Sequence, residues 1–117
     1  MRSAGLKDAI RRTGLSRRQL RYLEERSLLG FVARSDGRTV YTLEQLDRLE
    51  HIARLRALGS RIDEAAQIAR ELQGEPSAVS QVRLDELEQL ALAIVERSSR
   101  VAQDLLTLRA RRLGRAG

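Results

Sequence analysis

The chain of 117 residues is long enough for one small domain with an appendage and too short for a two-domain enzyme. It has no cysteine and one histidine, His51, which excludes a disulfide framework, thiolate-bound metal and a thiol nucleophile; no cofactor is called for. Basic side chains number 22 against 16 acidic ones, and Lys7 is the only lysine, so the excess is carried by arginine and favours a polyanionic partner.

That excess is unevenly spread. Residues 1–38 hold ten basic and four acidic side chains, residues 39–76 five and seven, and residues 77–117 seven and five. The first third therefore carries a net +6, as expected of a binding module joined to a charge-balanced scaffold. The opening residues contain no apolar leader, and the longest apolar run, Leu90 to Val95, is far short of the roughly 20 residues that a membrane span needs. A cytoplasmic location is expected.

Leu6, Ala9 and Ile10 share one face of a short helix that ends at Thr13-Gly14. A second helix opens at once on Ser16-Arg17-Arg18-Gln19, a capping box in which the serine hydroxyl and the glutamine amide satisfy free backbone N–H groups reciprocally. Two short helices joined by a tight glycine turn make a helix-turn-helix. On the second helix Leu20 and Leu23 point inward, while Arg17, Arg18, Arg21 and Tyr22 spread over the outer face.

From Gly30 to Tyr41, the β-compatible Phe31, Val32, Val40 and Tyr41 flank the turn-forming Ser35-Asp36-Gly37, which predicts a two-stranded wing with Arg34 and Arg38 near its tip. Thr42-Leu43-Glu44-Gln45 is a second capping box, opening a helix to about Leu58 with Leu46, Leu49, Ile52, Ala53 and Leu55 inward and Gly59 as its stop. A further helix runs from about Ile62 to Leu72, with Ile62, Ala65, Ala66, Ala69 and Leu72 at helical spacing. His51 and Tyr41 are assigned packing or surface roles. Gly74-Glu75-Pro76 then breaks the chain, dividing a head, residues 1–75, from a tail, residues 76–117.

The tail reads as one helix from about Ser80 to Leu113, since Leu84, Leu87, Ala91, Ile94, Ser98, Val101, Leu105, Leu108 and Arg112 recur in steps of three and four. An apolar stripe that long outruns a head of this size and calls for a second helix, most simply that of an identical chain. Leu84, Leu87, Ala91, Ile94, Val101, Leu105 and Leu108 are the candidate dimerisation residues. Leu90, Leu92 and Val95 widen the stripe near its start, so that stretch is expected to pack on a globular body as well.

The block Thr13-Gly14-Leu15-Ser16, then Leu20-Arg21-Tyr22-Leu23-Glu24-Glu25-Arg26-Ser27-Leu28-Leu29, the wing ending in Val40-Tyr41, and Ile52-Ala53-Arg54-Leu55-Arg56-Ala57-Leu58-Gly59 resemble the MerR family of transcriptional regulators over about residues 5–72. The resemblance implies a mainly α fold: a winged helix-turn-helix with a small β-hairpin wing, dimerised through a long C-terminal helix in an antiparallel coiled coil. It further implies that the second helix enters the major groove of double-stranded DNA, that the wing lies beside it, and that the dimer grips a pseudo-palindromic promoter site, often bending or untwisting it for RNA polymerase. By that likeness Arg17, Arg18, Arg21 and Tyr22 lie on the groove helix and Arg34 and Arg38 on the wing. The chain departs from the family where Leu23 replaces a second aromatic, Ser27 a glycine, and Arg38-Thr39 a Tyr-Arg pair. Neither the cysteines of metal- and redox-sensing relatives nor the large effector domain of drug-sensing ones is present, and the sequence names no small-molecule effector. Two alternatives stand beside this reading: a coiled-coil interaction protein whose basic head docks on an acidic partner, and an effector-independent architectural DNA-binding protein. With no phosphate loop, nucleophile–base pair or metal cluster in the sequence, an enzyme is not expected.

Overall fold

The computed structural model describes residues 3–74 and 79–116. Its elements are β1 (Ser3–Gly5), α1 (Leu6–Thr13), α2 (Arg17–Glu25), β2 (Ala33–Ser35), β3 (Arg38–Thr42), α3 (Leu43–Ala57), α4 (Ile62–Leu72) and α5 (Gln81–Ala116). The break read at Gly74-Glu75-Pro76 falls largely on residues 75–78, outside the described residues.

The turn between α1 and α2 is built from short-range chemistry. Gly14 takes a left-handed φ of 75° and donates its N–H to Ile10 O at 2.8 Å. Thr13 Oγ1 donates to Ala9 O at 2.7 Å and accepts from the N–H of Leu15 at 3.1 Å. The capping box closes as expected: Ser16 Oγ accepts from the N–H of Gln19 at 3.1 Å, and Gln19 Oε1 accepts from the N–H of Ser16 at 2.8 Å.

α2 ends in a Schellman motif, the N–H of Leu28 reaching Leu23 O at 2.9 Å and that of Ser27 reaching Glu24 O at 3.0 Å. The motif needs a left-handed residue, and Ser27 supplies it at φ 56° without glycine's freedom. Ser27→Gly is therefore expected to raise unfolding stability by about 0.5–1 kcal/mol, the relief of a left-handed side chain less the entropy of a freer unfolded chain. Urea melts of the two proteins test this, and a destabilised variant would contradict it.

The wing forms on a two-residue turn in which Asp36 (φ 52°) and Gly37 (φ 75°) both take positive φ, matching the twist of the paired strands. It is not two-stranded. β1 adds to it in the order β1-β3-β2, all antiparallel, with Ala4 opposite Tyr41. A three-residue strand is too short to leave an alternating pattern, so its partner strand, not its own sequence, defines it. The register also sets Arg34 opposite Thr39 and Arg38 opposite Ser35, so the two wing arginines leave opposite faces.

α3 starts on the Thr42–Gln45 box, and Gln45 does more than cap: its buried Nε2 donates to Leu29 O at 3.1 Å and Phe31 O at 2.7 Å, tying the approach to the wing onto α3. The core beneath α2 gathers Leu20, Leu23, Tyr41, Leu49 and Ile52, all essentially without solvent contact. The alanines Ala65, Ala66 and Ala69 let α4 lie close against this core. Ile68 is buried too, whereas Leu72, expected inward, is exposed on the last turn of α4 beside Leu43. The cap of α4 is ionic: Glu64 accepts from the N–H of Arg61 at 3.0 Å and from Arg97 Nη2 at 2.9 Å. The Arg61 bond first, then Arg97, holds the Glu64 carboxyl below its ordinary 4.5, so this stabilisation is complete above that value and is lost as pH falls through the depressed one.

α5 is one helix of 36 residues, about 54 Å long, and outruns the head as the stripe required. It meets α4 through the Arg97–Glu64 and Arg83–Glu71 pairs, with Ile94, only 1% exposed, between them. Leu87, Leu90 and Ala91 are half-buried on this side, while Leu92 and Val95, read as part of the packed stretch, stay exposed. Ile94 is thus enclosed by its own chain, because the head docks along the first half of α5 and Ile94 lies with Leu87 and Leu90 on the side that meets it. Leu84, Val101, Leu105 and Leu108 remain exposed.

Candidate nucleic-acid interface

The outer face of α2 and the wing form one side of the head. Arg17, Arg18, Arg21 and Arg38 are exposed and make no ion pair with any described residue, so their guanidinium groups are held back only by water. The capping box fixes the first turn that bears Arg17 and Arg18, and buried Leu20 and Leu23 fix the rotation of the helix about its axis. Pre-set charged donors of this kind suit phosphate and the edge of guanine.

Two of the six residues read from the sequence are tied inward. Arg34 pairs with Glu24 of α2, bracing the wing against the helix. Tyr22 donates its hydroxyl to Asp63 Oδ1 at 2.7 Å, and Arg26 lies over its ring at 5.1 Å from the centroid. The bond to Asp63 raises the Tyr22 pKa above 10.0, so the phenol stays protonated as a donor. Asp63 thereby sets a negative charge at the border of the basic face. Asp63→Asn keeps an acceptor for Tyr22 and removes that charge, and it is expected to strengthen binding to any duplex by about two- to fivefold per head at low salt. Titration with a random duplex measures this; an unchanged or weakened affinity would show that the charge stands outside the contact.

Sequence reasoning missed Lys7. The start of α1, the first residue of α2 and the wing tip enclose a cleft of about 680 Å³ lined by Lys7, Asp8, Arg17, Gly37, Arg38 and Thr39. Three cations against one carboxylate, on walls drawn together by the pairing of Gly5 with Val40, suit a backbone phosphate. The available signal was that Lys7 is the only lysine in the chain. His51, with Arg54 and Asp47 beside it on α3, has the surface setting expected of it. Among the described residues no cluster of three or more His, Asp or Glu side chains could hold a metal ion.

The family model for MerR HTH family regulatory proteins matches residues 6–72, more than half of the chain, and spans the helix-turn-helix, the wing, α3 and α4. The chain belongs to the MerR family. Its function is accordingly that of a DNA-binding transcriptional regulator, and the family's partner is double-stranded DNA. No curated protein matches it significantly. A MerR-family transcriptional regulator from Bacillus thuringiensis, known from a crystal structure, is similar in fold: the TM-score is 0.67 at 21% identity, covering 97% of this chain and 99% of that one. The likeness therefore extends through the tail helix, beyond the matched domain of this MerR-family chain. Among the described residues no helix is long and apolar enough to cross a membrane.

Proposed function

We propose that two copies of this chain, joined along α5, bind a pseudo-palindromic promoter site in the cytoplasm, each presenting α2 to a major groove and the wing to the flanking backbone. The observation that carries the reading is the set of exposed arginines that pair with no described residue: Arg17, Arg18 and Arg21 on the groove helix and Arg38 on the wing. Arg18 reads a guanine edge, while Arg17, Arg21 and Arg38, with Lys7, hold phosphates. Arg34 and Tyr22 contribute by bracing the wing and the helix, through Glu24 and Asp63. The exposed leucines of α5 supply the joint between copies, with Leu84, Leu87, Ala91, Val101, Leu105 and Leu108 on or beside it. Two heads gripping one duplex bend or untwist it, which adjusts the site for RNA polymerase.

Selection of bound fragments from genomic DNA, followed by retention of the recovered site against random duplex, tests this. A preference of several hundredfold, a two-fold symmetric site and a dimer in the ultracentrifuge are expected. With six to ten phosphate contacts per dimer, affinity should fall by about 10³–10⁵ between 50 and 200 mM salt. Equal retention of all duplexes would instead indicate an architectural binder, and no retention of any duplex a basic head made for an acidic protein.

A further inference from the structure

α5 presents a second stripe that its own head leaves largely uncovered, with Ala91 and Ser98 half-buried at its border and the rest exposed. Leu84, Ala91, Val95, Ala102, Leu106 and Leu113 recur at helical spacing about 100° round the helix from the head-facing Leu87, Leu90 and Ile94. The large members of this stripe are 46–65% exposed. Only two charged residues interrupt it, Glu88 in its first half and Arg109 in its second, both exposed.

The stripe is symmetric about the Ser98–Ser99 peptide bond. Leu84 lies as far before that point as Leu113 lies after it, and the same holds for Glu88 with Arg109, Ala91 with Leu106, and Val95 with Ala102. Laid antiparallel on a second copy, leucine meets leucine, each small side chain meets a branched one, and each Glu88 faces the partner's Arg109. Ser98 and Ser99 at the crossing are small enough for close approach. Laid parallel, Glu88 meets Glu88 and Arg109 meets Arg109. The surrounding charge makes the same choice: residues 81–98 hold two arginines and four acids, and residues 99–116 five arginines and one acid.

We infer that Glu88 and Arg109 form a self-complementary charge pair that sets the direction and register of the α5–α5 joint, with the two-fold axis at Ser98–Ser99. The inference rests on the homodimer proposed above and shifts its seam: Leu84 and Ala91 are shared, while Val101, Leu105 and Leu108 lie about 70–130° round the helix from this stripe, in line with the head-facing Leu87, Leu90 and Ile94. A charged residue inside an otherwise apolar seam costs affinity and gives selectivity in return, because every wrong alignment leaves like charges facing or a charge unpaired.

Charge reversal in the full chain tests it. Glu88→Arg and Arg109→Glu each create two like-charge contacts per antiparallel dimer, and each is expected to raise the dimer dissociation constant at least about tenfold at 50 mM salt. The double variant restores the pairs with their signs exchanged and should return to within about threefold of the wild type. Helix content by circular dichroism confirms that each variant is folded. As an independent readout in a cysteine-free chain, Ser98→Cys is expected to cross-link two copies under a mild oxidant, and Leu113→Cys is not. A dimeric wild type that is indifferent to both single reversals, or a double variant as weak as the singles, overturns the pair; efficient cross-linking through Leu113→Cys overturns the direction. A monomeric wild type overturns the homodimer and this inference together, and DNA retention is read separately from both.

Discussion

Arg18→Ala is expected to relax or abolish the distinction between the selected site and random DNA while leaving the fold intact. Arg18 stands on the first turn of α2, fully outside the core, without an ion-pair partner among the described residues. A bidentate guanidinium contact to guanine is worth about 1–3 kcal/mol of discrimination, and a symmetric dimer makes it twice, so specific affinity should fall by about 30-fold to more than 10⁴-fold. Random duplex, which feels only the loss of one charge per head, should weaken by less than about tenfold. The melting temperature should stay within about 2 °C, since the exposed Arg18 side chain takes no part in the capping bonds of Ser16 and Gln19. Arg34→Ala makes the contrast. Arg34 is already paired with Glu24, so its loss should weaken all duplexes alike and only modestly. Equal losses on specific and random DNA for Arg18→Ala would assign base reading to another residue.

The contrast also shows where sequence reading reaches and where it stops. The two capping boxes, the Asp36-Gly37 turn and the stops at Gly14 and Gly59 are local: each needs only residues within four or five positions, and each appears as expected. Amphipathic spacing likewise gave the inward Leu20, Leu23, Leu49 and Ile52, because a helix's own period decides which side can be buried. The pairs that occupy Tyr22 and Arg34 join different elements, and no local pattern announces that a tyrosine will meet an aspartate 41 residues away. The same holds for Lys7, brought to the wing tip by a strand too short to read, and for Ile94, whose enclosure depends on where the head docks along a long helix. Family resemblance supplied the topology of the site, but the number of its cations left free depended on side-chain partners that only the fold brings together.

Leu23→Ala is expected to be the most destabilising of the substitutions considered, at about 2–5 kcal/mol, because Leu23 has no solvent exposure and its truncation leaves a cavity as well as losing apolar burial. Against the 5–15 kcal/mol that holds a typical small domain, such a loss leaves a folded but easily melted head. Leu23 is placed where packing and orientation coincide. Its carbonyl accepts the N–H of Leu28 in the motif that ends α2, and its side chain faces the core on the side of the helix opposite the arginines. Emptying that site lets α2 rock against α3, so the guanidinium groups no longer hold one spacing on the duplex. Affinity should then fall for specific and random DNA in parallel with stability, unlike Arg18→Ala, where specificity falls alone. Urea titration and duplex retention on the same sample separate the two. A loss of less than about 1 kcal/mol would mean that the groove helix is not anchored through this leucine, and the fixed presentation of the arginines would need another support.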